Sequence, residues 1–330
     1  MKLVVQIPCY NEEETIGQTI ADIPRDIAGI DSVEVLVIND GSADNTVEAA
    51  RAAGANHVIS FTGNKGLAAA FAAGLEKALD LGADIIVNTD ADNQYQGECI
   101  PDLIRPIQEG QADLVVGCRP IEDIPEFSWL KKRLQRLGSW VVRQVSQTNI
   151  SDATSGFRAY SREAAQRLTV ISGFTYTHET LIQAGRSNMI VTEVPIQINP
   201  TTRPSRLFRS IPEYLKRSLS TILRIYTLYE PLAFFTRAGT VLLGVAAIIG
   251  IRFLYFFFAG NGAGHVQSLI FAAVLAIMGF QMWVLGIVAD LIAANRKLLQ
   301  EALYHLKRDT SRQPLENGSS CVSETETRAE

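Results

Sequence analysis

The sequence predicts an α/β domain built on a mostly parallel sheet, followed by amphipathic interface helices and a two-helix transmembrane hairpin. Three observations carry that prediction. Apolar, β-branched runs alternate with helical patterns through residues 1–200, the signature of a sheet covered by helices on both faces. Beyond residue 230 come two long apolar stretches joined by the short "NGAGH". Basic residues gather just before the first stretch and just after the second.

In chain order, "KLVVQIP" reads as a buried strand, and "EEETIGQTIADI" after it has helical spacing. "VEVLVIND" is a second strand, turned by Gly41-Ser42 into a helix that runs through Arg51. "HVISF" leads to "GLAAAFAAGLEKALDLG", a small-residue helix ending at Gly82. "DIIVNTD", "ADLVVGC" and "IVTEVPIQI" complete the strands. In such sheets ligands bind beyond the carboxyl ends of the strands. Asp40 and the cluster from Asp90 to Gln94 stand at those ends.

The stretches "PLAFFTRAGTVLLGVAAIIGIRFLYFFFAG" and "VQSLIFAAVLAIMGFQMWVLGIVADLIAAN" each exceed the ~20 apolar residues that cross a hydrocarbon core of about 30 Å. Arg and Lys precede the first span, Arg296, Lys297, Lys307 and Arg308 follow the second, and the connecting loop has none. The positive-inside rule then places both chain ends and the α/β domain in the cytosol. Arg252, inside the first span, is expected to snorkel to the outer interface or to pair within the lipid region.

From Arg203 to Arg237 there are seven basic residues against two acidic ones. There "SRLFRSIPEYLKRSLSTILRIYTLYEP" alternates bases with apolar residues at helical spacing, as an interfacial helix facing anionic headgroups does. From Asp309 onward five acids, two bases and few apolar residues read as a disordered tail. The expected organisation is a catalytic domain over 1–205 and juxtamembrane helices over 206–230. A hairpin over 231–295 follows (spans near 232–258 and 266–290), then a cytosolic helix over 296–308 and a tail over 309–330.

Composition excludes several classes. Acids outnumber bases 35 to 30, so charge does not favour a general nucleic-acid surface. Cys9, Cys99, Cys118 and Cys321 are scattered, without a C-x-x-C pair or histidines at zinc-ligand spacing, which suits a reducing compartment without structural zinc. The apolar run at the amino terminus is too short for a signal peptide.

Four stretches bear on chemistry. "IPCYNEEETI" is a strand, a turn and an acid-rich helix start, which simple capping also explains. "VINDGSADNT" is a strand entering a capped turn at Asp40. In "DIIVNTDADNQYQ", Asp90 and Asp92 lie two apart in an extended segment and so point the same way, with Gln94 continuing the series. Mg2+ or Mn2+ takes such oxygen ligands together with substrate phosphate oxygens, and so assists departure of a diphosphate. In "DATSGFRAY", Ser155 and Arg158 beside Gly156 suit a phosphate, or equally a strand-entry turn with a surface arginine.

Taken together, "IPCYNEEETI", "INDGSADNT", "GNKGLAAAFAAGL", "NTDADNQY", "VVGCR", "DATSGFRAYSREA" and "TRPSRL" make residues 3–210 resemble a family 2 glycosyltransferase of the dolichyl- or polyprenyl-phosphate sugar synthase type. The hairpin resembles that of bacterial members with two spans. The resemblance implies a GT-A fold and inverting transfer of a sugar from a UDP- or GDP-linked donor to a polyprenyl phosphate. It implies a nucleotide-sugar site of Pro8, Tyr10, Asn11, Glu12, Asn39, Asp40, Lys65, Asp90 and Ala91. The metal, Mg2+ or Mn2+, falls to Asp92 and Gln94, with Asp90 close by or sharing it. Arg119 and Arg206 are implied to hold phosphates between donor and acceptor, and Arg133 to meet the lipid phosphate. The expected catalytic set is Asp152, Asp92 and Arg119, with Asp152 orienting or deprotonating the acceptor and Glu179 as the alternative, while a structural role in holding the turn is equally open to either.

The chain departs from the family pattern in places. Asn39 replaces a common aspartate, "TRPSRL" has proline and arginine where glycine and lysine are usual, and Ser139 is out of step with a family serine. The Q-x-x-R-W stretch of processive members is absent, which favours a single transfer. The expected partners are a nucleotide sugar, a polyprenyl phosphate and the bilayer, without nucleic acid, and a homo-oligomer remains open. Two other readings stay open: transfer to another lipid hydroxyl, which would need a true general base, and a non-catalytic nucleotide-sugar-binding protein.

Overall fold

A computed structural model of the chain describes residues 1–120, 139–140, 142–144, 146–170, 176–199, 220, 223–224, 227–260 and 262–310. Contacts divide the chain into two units, one of residues 1–218 with 301–330 and one of residues 219–300.

The first unit is organised by seven strands: β1 (Lys2–Cys9), β2 (Ser32–Asn39), β3 (His57–Ser60), β4 (Ile85–Asn88), β5 (Leu114–Cys118), β6 (Arg158–Ser161) and β7 (Val191–Pro195). They lie in the order β3-β2-β1-β4-β6-β5-β7. β6 runs antiparallel to both β4 and β5, and the other pairings are parallel. Around the sheet stand α1 (Ile16–Ala21), α2 (Thr46–Ala52), α3 (Leu67–Asp80), α4 (Ile100–Gln108), α5 (Arg162–Arg167) and α6 (Thr177–Arg186).

The strands are apolar along their length because both faces are covered. Leu3, Val5, Ile7, Val35, Val37, Ile85, Val87 and Val115 belong to one core, which α1 joins through Ile16 and Ile20. α4 adds Ile100, Leu103, Ile104 and Ile107, the i, i+3, i+4, i+7 stripe of an amphipathic helix. On α3, Gly74 lets the helix approach β1 and β2, since a side chain there would meet Gln6 and Ile38.

Six of the seven strands match the expected runs. β6 does not: "DATSGFRAY" reads as a phosphate-binding stretch or a strand-entry turn, and its end opens a buried antiparallel strand inserted between β4 and β5. "RAYS" has no β-branched run to advertise it. The topology also fixes the ligand end. The chain passes from β1 outward to β2 and β3, then returns to place β4 on the other side of β1, so the crevice at a topological switch lies between β1 and β4.

The second unit holds most of two long helices, α7 (Pro231–Phe258) and α8 (Val266–Thr310). Pro231 opens α7, where its missing N–H costs nothing. Their apolar windows have mean hydropathies of 2.3 and 2.2 and are only 6% and 17% buried. A core helix of a soluble protein would be mostly covered, so these surfaces suit lipid. Trp283 donates its indole N–H to the Thr236 carbonyl at 3.3 Å, tying the two helices together. Arg252 lies 5.6 Å from the ring of Phe256, one turn nearer the connecting loop.

α8 is one continuous helix of 45 residues, so the expected separate helix over 296–308 is its extension. Asp309 and Thr310, expected in the tail, are its last residues. Most of the expected 206–230 helices and residues 311–330 lie outside the described residues.

Candidate active site

The loop after β1 and the loop after β2 are sewn together at the carboxyl end of the sheet. Asn11, at φ 55°, donates its backbone N–H to Ser42 Oγ at 2.9 Å and accepts from the Ala43 N–H at 2.8 Å. Asparagine tolerates the left-handed conformation this requires. Glu12 N–H donates to Thr46 Oγ1 at 2.9 Å. Pro8 is buried, while Tyr10 is 42% exposed. A cavity of about 330 Å³ lies against Asn11, Thr15 and Ala43, but Glu12, Glu13, Glu14 and Asp44 also line it, so its charge does not suit a diphosphate.

Asn39 and Asp40 are engaged by the protein itself. Asn39 accepts from the Ser42 N–H at 2.9 Å and donates to Ser60 Oγ at 3.3 Å. The two Asp40 oxygens take the backbone N–H groups of Lys65 and Gly66, at 2.7 and 2.9 Å. Asp40 is 3% exposed. Both side chains therefore hold the β2 and β3 loops together, where a direct nucleoside contact was expected. Gly41 serves the same junction: it has φ +73°, and a Cβ there would stand 2.6 Å from the Gly63 backbone. Lys65 keeps an exposed side chain, its ammonium 4.6 Å from the Phe61 ring centre.

β4 delivers the acidic cluster to the crevice. Asp92 Oδ1 accepts from the Gln94 N–H at 3.2 Å, closing a tight turn. Asn93 occupies that turn at φ 54°. The turn docks on the segment after β7, where Asn199 donates to the Asn93 carbonyl and to the Gln94 carbonyl, each at 2.9 Å. Ala91 is 4% exposed, and its carbonyl accepts from Thr15 and Thr19 at 2.8 and 3.2 Å. It anchors the turn on α1.

Asp90, Asp92 and Gln94 stay partly exposed. The Asp90 pKa is pushed up to about 7, first by burial and then by the Asp92 charge, against the pull of Arg119. Two carboxylates and a carboxamide form an all-oxygen donor set, and two crowded like charges are what a divalent cation relieves. Among the described residues no three His, Cys, Asp or Glu side chains gather at one point. A cation here would thus be held by this pair, Gln94 and substrate oxygens, the usual pattern for Mg2+.

The shift has a testable sign. The native state holds the Asp90 proton more tightly than the unfolded chain, whose carboxyl titrates near 3.8. Metal-free stability should therefore fall as pH rises from about 4 to 7, by on the order of 2–4 kcal/mol, and Asp90→Asn should flatten the fall. Thermal midpoints across that range in chelator check this, and equal slopes for both proteins would refute it.

Arg119 follows β5 and forms a bidentate pair with Asp152, Nε to Oδ2 at 2.7 Å and Nη2 to Oδ1 at 3.1 Å. Thr154 braces it, accepting from Nη2 at 2.8 Å and donating to Asp152 Oδ1 at 2.8 Å. Asp152 is 0% exposed and Arg119 11%. Burial raises the Asp152 pKa, but the charge and hydrogen bonds of Arg119 outweigh it, so the carboxyl titrates below its usual range. Asp152 holds Arg119 in place, the structural one of the roles open to it, and its lowered pKa does not favour that of a base. Glu179 on α6 is 4% exposed and accepts from Gln183 Nε2 at 3.4 Å.

Arg158 departs furthest from expectation. It is 0% exposed, and its guanidinium donates to the carbonyls of Ser155, Thr177 and Ala153 at 2.8, 2.6 and 2.8 Å and to Thr180 Oγ1 at 3.0 Å. It is neither a phosphate ligand nor a surface residue but the brace of the turn before β6. Ser155 is also fully buried, its hydroxyl without a hydrogen-bond partner among the described residues. Arg133 and Arg206 lie outside the described residues.

Beneath Asp90 lies a polar network that sequence reasoning passed over. Asn88 Oδ1 accepts from Gln6 Nε2 at 2.9 Å, and Nδ2 donates to the Gly156 carbonyl at 2.8 Å and Tyr176 Oη at 2.9 Å. Gly156 N–H donates to Tyr95 Oη at 3.2 Å. The signal was present: Gln6 and Asn88 are polar residues inside otherwise apolar strands, and they pair in register.

Residues 4–169 match Glycosyl transferase family 2. The chain is 30% identical over 206 residues to an undecaprenyl-phosphate mannosyltransferase of Micrococcus luteus, covering 59% of this chain and 83% of that one. It is 31% identical over 213 residues to a UDP-N-acetylglucosamine–dolichyl-phosphate N-acetylglucosaminyltransferase of Methanococcus voltae, covering 58% and 83%. Among solved structures, glucosyl-3-phosphoglycerate synthase from Mycobacterium tuberculosis, in complex with Mn2+, UDP and phosphoglyceric acid, superposes with a TM-score of 0.51 at 21% identity. That match covers 68% of this chain and 77% of that one. The shared architecture is the GT-A type.

Proposed function

Because the chain belongs to glycosyl transferase family 2, we propose that it transfers a sugar from a UDP- or GDP-linked donor to a polyprenyl phosphate, with inversion. The observation that carries this reading is the Asp90–Asp92–Gln94 turn in the β1/β4 crevice, with the Arg119 charge acting on Asp90. A diphosphate needs a cationic partner, and a phosphate acceptor needs a second cation. Relatives named for undecaprenyl and dolichyl phosphate support that acceptor class.

In the proposed reaction an acceptor phosphate oxygen attacks the anomeric carbon from the face opposite the diphosphate. The bond between that carbon and the diphosphate oxygen breaks, and its electron pair leaves with the nucleoside diphosphate. The acceptor is anionic at neutral pH, so strong base activation is unnecessary, which agrees with the low proton affinity of Asp152. A bound Mg2+ or Mn2+ would neutralise charge on the leaving diphosphate. Asp90, Asp92 and Gln94 would hold it, as Mn2+ accompanies UDP in the glucosyl-3-phosphoglycerate synthase complex. Arg119, fixed by Asp152 and Thr154, would face phosphate oxygens without needing to reorganise. Lys65 and Tyr10, both exposed, remain candidates for the donor, and Arg133 and Arg206 for the acceptor.

Membranes containing the protein should convert labelled UDP- or GDP-sugar and polyprenyl phosphate into an acid-labile lipid. Transfer to diacylglycerol instead, or to no lipid, would sink the acceptor assignment. We also propose that the α/β unit and both termini face the cytosol, from the basic residues that flank the apolar stretches. A reporter fused after Glu330 should be active only as a cytosolic fusion, and the opposite pattern would reverse the topology.

A further inference from the structure

We infer that Asn88 is a positioning residue for the diphosphate–metal site, acting by clamping the Gly156 turn against the Asp90 carboxylate. The inference rests on the reading of Asp90 and Asp92 as metal carboxylates given above, and it concerns what holds them in register.

The geometry is specific. A Cβ on Gly156 would stand 2.9 and 3.1 Å from the two Asp90 oxygens and 2.9 Å from Tyr176 Oη. The carboxylate therefore lies against the bare Cα of Gly156, so the position of that turn bounds it on one side. Gly156 is gripped at both of its backbone polar groups. Its carbonyl accepts from Asn88 Nδ2 at 2.8 Å, and its N–H donates to Tyr95 Oη at 3.2 Å. A carbonyl only accepts, so Nδ2 must face it, and Oδ1 is left to take the Gln6 N–H.

The grips come from rigid surroundings. Asn88 ends β4, two residues before Asp90, and is 0% exposed. Its second Nδ2 contact, Tyr176 Oη, belongs to a ring stacked 3.9 Å from Phe71 of α3. Tyr95 stacks 5.2 Å from Phe157 in the opposite core layer. The turn that carries Asp152 and Thr154 is thereby fastened to the strand that carries Asp90. A leucine at 88 would pack in this layer without holding Gly156, so packing alone does not call for a carboxamide.

The test uses the full-length protein in detergent and Mn2+ alone, with the free ion followed by EPR up to millimolar concentrations. Asn88→Ala and Tyr95→Phe should each weaken Mn2+ binding by about 10-fold or more, the usual effect of removing a residue that orients a ligand. Tyr95→Phe keeps the ring and its stacking, so it tests the clamp even if Asn88→Ala folds poorly. Tyr176→Phe leaves Gly156 held and should bind Mn2+ as the wild type does. Wild-type affinity in a folded Asn88→Ala, or in Tyr95→Phe where Asn88→Ala does not fold, overturns the inference alone. An equal loss in Tyr176→Phe also overturns it, because the effect would then be general loosening of the core. Failure of the wild type itself to bind Mn2+ overturns the metal reading and this inference with it.

Discussion

Membranes carrying Asp92→Ala should transfer sugar to lipid at on the order of 10²-fold below the wild-type rate or less. The expected loss is large because Asp92, like Asp90, is partly exposed to the crevice, and its charge is the strongest one acting on Asp90. Removing it halves the negative charge that would recruit a cation and opens the turn that its Oδ1 closes onto the Gln94 N–H. Asp92→Asn separates these contributions, because a carboxamide oxygen still accepts that bond while the charge is gone. If charge dominates, the Asn variant resembles Ala; if turn geometry dominates, it resembles the wild type. A binding readout accompanies the assay: Mn2+ should raise the thermal midpoint of the wild type and leave that of Asp92→Ala unmoved. Wild-type transfer by Asp92→Ala would remove the metal from the mechanism.

What was legible in advance follows from how local each signal is. Asp90, Asp92 and Gln94 could be read because one strand and its turn carry all three, so the chain itself brings them together. The buried parallel strands could be read because covering both faces leaves an unbroken apolar run. Arg158 was misjudged because an arginine beside glycine looks exposed. Its burial depends on carbonyls of the preceding turn and of Thr177, 19 residues on, which no local pattern reveals. The Asp152–Arg119 pair joins positions 33 apart through the pairing of β6 with β5, and β6 itself gave no strand signal. Asn39 and Asp40 were correctly placed at the ligand end of the sheet. Whether such a side chain faces a ligand or its own neighbouring loop is decided by the length and course of residues 60–66.

Breaking the Arg119–Asp152 pair should produce the largest stability effect of any single site substitution. Arg119→Met leaves a carboxylate at 0% exposure with Thr154 as its remaining hydrogen-bond partner among the described residues, and loss of one member of a buried pair costs about 3–5 kcal/mol. Asp152→Asn should cost less, because Arg119 is 11% exposed and the Asp90 charge also acts on it. The double substitution should recover part of the loss, since no isolated charge then remains buried. Thermal midpoints of the four proteins complete the cycle, and additive losses would mean the two groups do not interact. The pH dependence has a definite sign. The Asp152 pKa is lowered in the folded state, so its contribution is present above about 3.8, the unfolded value, and is lost as pH falls through the lower native one. Activity separates a positioning role from a basic one. If Asp152 removed a proton from the acceptor, Asp152→Asn would abolish transfer and the rate would follow a carboxylate titration. If it holds Arg119, Asp152→Asn keeps a hydrogen-bonding side chain beside the guanidinium and should retain measurable transfer, while Arg119→Met, which removes the cation, loses far more.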